Sequence, residues 1–497
     1  MKPTYVLAIL VAYFLVLMLI SYLTSRGADK DTFFTGNRKS PWYLVAFGMV
    51  GASLSGVTFI SVPGAVGGSG WSYLQFVLGN FVGYWVIAFV LIPLYYRMKL
   101  TSIYEYLRDR YGNASYKTGA LFFMLSQTIG ASFRLFLVAL VLQLFFFDAY
   151  NIPFGVTVFI TILLIWLYTF KAGIKTIVWT DTLQTLFMLS SVGISIWLIA
   201  TELDLSLGGV VTEVKSHPYA DIFVWDGKAG NNFFKQFIAG IFIAIVMNGL
   251  DQNMMQKNLT CKSRWDAQKN LLSFSITFVI STVLFLVLGV MLYMFAEAKG
   301  VEIPGRTDAL YATLALEHFG TLAGTVFLLG ITAAAYSSAD SALTALTTSF
   351  CVDMMDISHQ PEEKQKKIRR VVHIGFSTLM VMVIILFKMF NDETVVTSVF
   401  KAAGYTYGPL LGLFAFGMLT KRKPADRLVP LVCILSPVFS YILNANSEEL
   451  LWGYKFGFEI LIVNGLFTFI GLWTISGRRF IPMQEPLLSD SSGDLLA

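Results

Sequence analysis

Apolar runs of spanning length recur from one end of the chain to the other, and nothing else in the sequence restricts its fold so sharply. A bilayer's hydrocarbon core is about 30 Å thick and takes about 20 residues of helix to cross. Within it each backbone amide must be satisfied inside the segment, as a helix does. The runs lie near 4–24, 42–66, 71–96, 117–147, 153–170, 176–201 and 233–256, then near 270–295, 320–352, 371–390, 396–420, 428–443 and 455–475. The expectation is an all-α polytopic membrane protein of about 13 transmembrane helices, embedded in a lipid bilayer. Composition agrees: 56% of the residues are hydrophobic and 13% charged, with a mean hydropathy of +0.67, against roughly 25% charged in soluble domains. The first run is of helix length and no small-residue cleavage site follows it, so it reads as a retained span, not a signal peptide.

Basic residues orient the chain, because lysine and arginine collect on the cytoplasmic side. The connections after the odd-numbered spans, with Lys117 at the boundary of one counted in, hold 26 of the 36 lysines and arginines, while short intervening ones such as 67–70 and 148–152 hold none. The amino terminus is therefore expected outside and the carboxyl terminus inside, in a plasma membrane (a cell inner membrane). Residues 216–232 and 298–319 read as external loops, 362–370 as a solvated charge run, and 478–497 as a disordered tail. The net charge of +5 thus reflects topology, and no nucleic-acid partner is expected. Cys261, Cys351 and Cys433 are scattered, and the four histidines show no paired spacing, so neither a disulfide framework nor a metal cluster is indicated. No soluble domain fits in any connection. HExxH, GxSxG and filter-like repeats are absent, which argues against an intramembrane enzyme or a channel.

Two spans are interrupted. The second reads GMVGASLSGVTFISVPG, where Gly48, Gly51, Ser53, Ser55, Gly56, Thr58, Ser61 and Pro63 break an apolar helix. The seventh carries Asn248, Gly249 and Asp251. The seventh comes five spans after the second, an odd number, so the two run in opposite directions. Paired interruptions in two halves point to an inverted-repeat transporter with a midplane site, where unwound carbonyls coordinate cations. Asp251 itself lies near the cytoplasmic end, where solvation would account for it.

The ninth span, ITAAAYSSADSALTALTTSF from Ile331 to Phe350, carries Ser337, Ser341, Thr344 and Thr348 on one helical stripe, flanked by Ser338 and Asp340. Oxygen-only donors suit a hard cation or a proton relay, and an intramembrane carboxylate is a functional candidate by default. Asp181, in the sixth span, shares the inner depth of Asp340. Arg134 lies well inside the fourth span. A fork for a substrate carboxylate and a structural ion pair are both open for it.

Together with TDTLQ at Thr180–Gln184, SSADSALTALTTSFCVDMMD at Ser337–Asp356, LDQNMMQKNL at Leu250–Leu259 and GYTYGPLLGLFAFG at Gly404–Gly417, these features resemble the sodium:solute symporter family. Its members include bacterial sialic acid, proline and sugar transporters and the human sodium/glucose cotransporters. The resemblance implies a five-plus-five inverted-repeat (LeuT-like) core. An extra helix (1–24) would precede repeats at 42–201 and 233–420, and two peripheral helices (428–476) and a cytoplasmic tail (477–497) would follow. It implies a main sodium site from the carbonyls of Gly51, Leu54 and Ala334 with the hydroxyls of Ser337 and Ser338. A second would use Asp181, Ser337, Ser341 and residue 340, an Asp here where such members carry a hydroxyl. Arg134, Ser55 and Thr58 would hold a substrate carboxylate, with Gln75 a further polar contact. The expected activity is sodium-coupled import of a small organic solute of the sialic acid or sugar acid class. The alternatives are a neutral sugar or amino acid symporter, and a proton-coupled transporter using Asp340.

Overall fold

Among the described residues three helices bend sharply where a straight rod would be expected, and these bends set out the interior. The computed structural model describes residues 3–25, 39–100, 102–169, 173–390 and 395–480. Within them α1 (Pro3–Ser25) is followed by the first bent pair, α2 (Trp42–Ser53) and α3 (Gly56–Ser69), inclined by 57°. Next come α4 (Tyr73–Arg97), α5 (Asn113–Leu142), α6 (Phe154–Thr169) and α7 (Gly173–Glu202). The second bent pair, α8 (Phe233–Gly249) and α9 (Gln252–Asn258), turns by 69°. After α10 (Arg264–Lys299), α11 (Gly320–Met354) and α12 (Glu362–Phe390), the third pair, α13 (Val395–Thr406) and α14 (Gly408–Leu419), bends by 46°. The helices α15 (Asp426–Ala445) and α16 (Ile460–Thr474) complete the bundle. Seven of these helices are long and apolar enough to cross a membrane, ten with each bent pair taken as one, and three shorter apolar helices lie within α1, α6 and α16.

Each bend has a local cause. At the first, Leu54 and Ser55 leave helical geometry, with Ser55 at φ −32° and ψ 177°. At the second, Asp251 is extended and its carboxylate accepts from the amides of Asn253 (2.9 Å) and Met254 (3.3 Å), an N-cap that starts α9 afresh. The third falls at Tyr407 before Gly408 and Pro409, where proline cannot continue the hydrogen-bond ladder. Sequence reading anticipated the first two bends and not this one.

Carbonyls freed at a helix break must find donors. At the second bend the Tyr95 hydroxyl donates to the Gly249 carbonyl (2.8 Å) and that of Tyr104 to the Leu250 carbonyl (3.0 Å). The α4–α8 contact is closest at Gly79 and Gly240: a Cβ on either would collide with the backbone carbonyl of Phe237 or Phe76 respectively. The 362–370 charge run is helical, forming the first turns of α12. A small two-stranded antiparallel sheet, β1 (Arg422–Pro424) with β2 (Ser476–Phe480), ties the start of α15 to the end of α16. Most of the expected tail, 481–497, lies outside the described residues.

Candidate functional site

The bends of α2–α3, α8–α9 and α13–α14 meet around one cavity. Its wall takes Ser53, Ser55 and Thr58 from the first break, Asn248, Asp251 and Asn253 from the second, and Tyr407 from the third. The helix α4 adds Tyr73, Phe76, Asn80 and Tyr84, a stripe at steps of three, four and four, and α5 adds Gln127 and Arg134. The space open to the centres of water-sized molecules is about 90 Å³, against roughly 10–15 Å³ for one water, so the cavity has room for a polar solute. Aromatic faces line it beside many polar side chains.

Several of those polar groups make no hydrogen bond among the described residues. Among the described residues the Arg134 guanidinium makes no hydrogen bond or ion pair, nor do the side chains of Ser55, Thr58 and Asn80. The buried amide nitrogen of Gln127 is likewise unpartnered. Arg134 lies beside the first break: a Cβ on Gly56 would sit 3.6 Å from its backbone carbonyl. Asp251 and Tyr407 are within electrostatic reach of the guanidinium. The Tyr407 hydroxyl donates to the Asp251 carboxylate at 2.5 Å, joining the second bend to the third.

A second polar constellation lies between α2, α7 and α11. The Ser338 hydroxyl is 3.3 Å from the Ala52 carbonyl and 3.2 Å from that of Ala334, so it spans the end of α2 and the facing helix. The Gly51 amide donates to Thr185 Oγ1 (3.0 Å), a contact that admits no side chain at position 51. Backbone carbonyls at a helix end together with serine hydroxyls make an all-oxygen set, the chemistry a hard monovalent cation takes; Gly51 lies on α2 beside this contact, Leu54 at its break, and Ala334, Ser337 and Ser338 on the facing stretch of α11. The donor set fits sodium.

Beside it, the Ser337 hydroxyl donates to Asp181 Oδ1 (2.6 Å), and the other carboxylate oxygen accepts from Lys257 Nζ (2.7 Å), with side chains 1% and 0% exposed. Asp340 is fully buried on the same stretch of α11, and its Oδ1 accepts from the Ser341 amide (2.5 Å) and hydroxyl (3.2 Å).

The structure thus brings Asp181, Ser337, Ser338, Asp340 and Ser341 together, and Ser55, Thr58 and Arg134 into the cavity wall. Gln75 is placed elsewhere. Its amide oxygen accepts from the Val224 amide (3.1 Å) and its nitrogen donates to the carbonyls of Asn231 (3.0 Å) and Ser72 (3.2 Å), so it fastens the 218–232 loop and lies outside the cavity wall. Asp251, read as solvated, is 1% exposed and lines the cavity. Lys257, counted among cytoplasmic lysines, is buried against Asp181.

The sodium:solute symporter family model matches residues 33–426. The sodium/sialic acid symporter SiaT of Proteus mirabilis is 24% identical over 97% of this chain and 97% of its own. The sodium/sialic acid symporter NanT of Aliivibrio fischeri is 24% identical over 90% and 89%. The human sodium/iodide cotransporter is 24% identical over 79% of this chain and 62% of its own. Among solved structures, a substrate-bound, outward-open sodium-coupled sialic acid symporter superposes with a TM-score of 0.79 at 20% identity, covering 95% of this chain and 99% of that one. Mhp1, a nucleobase-cation-symport-1 family transporter, gives 0.53 at 14% identity over 89% and 94%. With the family model covering most of its length, this chain belongs to the sodium:solute symporter family.

Proposed function

We propose that this sodium-coupled symporter imports a carboxylate-bearing small organic solute of the sialic acid or sugar acid class. The observation that carries the reading is Arg134, a guanidinium on the cavity wall without a hydrogen bond or ion pair among the described residues. A carboxylate can take two parallel hydrogen bonds from such a fork. The unpaired hydroxyls of Ser55 and Thr58 stand ready beside it, and Asn80, one helical face round from Gln75, takes the polar role first given to that residue. Aromatic faces at Phe76, Tyr84 and Phe400 suit the apolar edges of a sugar ring.

In this reading sodium binds from outside at Gly51, Leu54, Ala334, Ser337 and Ser338, and by bridging α2 to α11 steadies the broken span that shapes the cavity. Asp181, Ser337, Asp340 and Ser341 form a second site, with Lys257 sharing the Asp181 carboxylate. The repeats run 42–201 and 233–420. With the three shorter apolar helices also crossing, the spans number thirteen, the amino terminus faces out, the carboxyl terminus faces the cytoplasm, and the protein resides in the plasma membrane.

Thermal unfolding in sodium or choline chloride at equal ionic strength, with sialic acid, a neutral hexose or proline added, tests this, since a ligand of the folded state raises stability by mass action. A sodium-specific rise enlarged by sialic acid, and lost in Arg134→Gln, is the expected result. Removal of a charged pair of hydrogen bonds costs about 2–5 kcal/mol, so uptake affinity should fall at least thirtyfold. A rise with hexose or proline instead, unaltered in Arg134→Gln, would replace the carboxylate reading. A response to acid pH alone would move coupling to protons at Asp340.

A further inference from the structure

The cavity wall holds one basic and one acidic side chain on facing elements: Arg134 on α5, and Asp251 at the break between α8 and α9. Asp251 is 1% exposed. Its contacts are all donors of neutral hydrogen bonds, the amides of Asn253 and Met254 and the Tyr407 hydroxyl. None of these cancels its charge, and Arg134, though within electrostatic reach, makes no ion pair with it among the described residues. A carboxylate has about four acceptor positions, so three bonds leave one for a hydroxyl or amide donor of a bound solute. A second anionic group brought to the same place would find no donor and a like charge.

We propose that Asp251 is a specificity-determining residue that restricts the solute to a single negative charge: with one carboxylate at Arg134, a neutral donor group is accepted at Asp251 and a second carboxylate is rejected. The inference rests on the carboxylate reading of Arg134. Specificity by repulsion of the wrong ligand is a general device. Two unit charges about 7 Å apart at an effective dielectric near 20 repel enough for a discrimination of roughly 50-fold. The Tyr407 hydroxyl orients the carboxylate without neutralising it, so its removal should leave the charge-based rejection in place.

Sugar acids supply a matched pair of probes. Gluconate ends in a carboxylate and a hydroxymethyl group, and glucarate carries a carboxylate at both ends. Each would be used to inhibit sodium-driven uptake of labelled sialic acid into proteoliposomes. In the wild-type protein gluconate should inhibit at least fivefold more strongly than glucarate. Asp251→Asn keeps the N-cap acceptor, turns an amide N–H toward the Tyr407 oxygen in place of the second carboxylate oxygen, and removes the charge; it should bring the two inhibitors within about twofold. Tyr407→Phe should retain the wild-type ratio. A wild-type ratio below fivefold, including no inhibition by either compound, overturns the proposal, as does a ratio unchanged in Asp251→Asn or equally collapsed in Tyr407→Phe. The wild-type ratio decides the matter if the Asn variant does not fold. Absence of any sodium-driven sialic acid uptake removes the underlying substrate reading as well, whereas uptake without the preference removes this inference alone.

Discussion

A lysine and an aspartate buried together are worth less to stability than either is dangerous alone. Desolvation offsets most of the attraction between Lys257 and Asp181, but removing one partner strands the other, at about 3–5 kcal/mol. Lys257→Ala should therefore melt well below the wild-type protein, and a double change to Lys257→Met with Asp181→Leu should recover much of the loss. Equal melting of the single variant and the parent would mean that water reaches the pair. Outside the spans, burial pushes the Cys261 thiol up to about 12. Its thiolate is disfavoured in the folded state, so Cys261 should resist maleimide at pH 8 until denaturant is added, and labelling of the native protein at this residue by mass spectrometry would contradict its burial. Asp181 and Asp340 stood out in the sequence because a carboxylate is costly in an apolar run, and the structure buries both. Lys257 and Asp251 did not, since a charge near a helix end is what the cytoplasmic interface ordinarily carries. Asn80 carried a signal that was missed: Tyr73, Phe76, Asn80 and Tyr84 fall on one helical stripe, and Gln75 falls off it.

Among elements, the breaks at Leu54–Ser55 and Leu250–Asp251 were readable from glycine, hydroxyl and Asn-Gly clusters in otherwise apolar helices. The third, at Tyr407, lay in plain view as Gly408-Pro409 but sits in a segment whose apolar pattern is unbroken. What no single-chain pattern supplied was how the breaks are capped, because Tyr95 and Tyr104 reach Gly249 and Leu250 across more than 140 residues of sequence. The α4–α8 pair shows what glycine does at this scale. A side chain at Gly79 would run into the Phe237 carbonyl, and backbone cannot step aside as a flexible side chain can. Gly79→Val should push the helices apart at a cost of about 1–3 kcal/mol. It should also misplace Phe76 and Asn80, so that sodium-dependent stabilisation by solute falls along with the melting temperature. Gly68→Val, where nothing lies within 4 Å of the added carbon, is the control and should leave both unchanged.

For the whole molecule, the charge carried per solute joins the ion sites to the work the transporter can do. One sodium entering down ~100 mV releases ~2.3 kcal/mol, and a tenfold sodium gradient adds ~1.4 kcal/mol. If a monoanion enters with a single sodium, the electrical part cancels and accumulation stops near tenfold. With two sodium ions one net charge moves, and the limit rises to about 5000-fold. A carboxylate bound at Arg134 therefore goes naturally with a second ion near Asp181, Ser337, Asp340 and Ser341. Lys257 makes this a real question, because its ammonium already holds one oxygen of the Asp181 carboxylate at 2.7 Å. The expectation is two sodium ions and one inward positive charge per solute, read from the reversal potential of sialic acid flux in proteoliposomes as the sodium and solute gradients are varied. A charge of zero would mean that a single ion drives transport and that the ammonium of Lys257 permanently fills the second position. In that case Lys257→Gln, where it folds, should convert electroneutral transport into electrogenic transport by opening Asp181 to sodium.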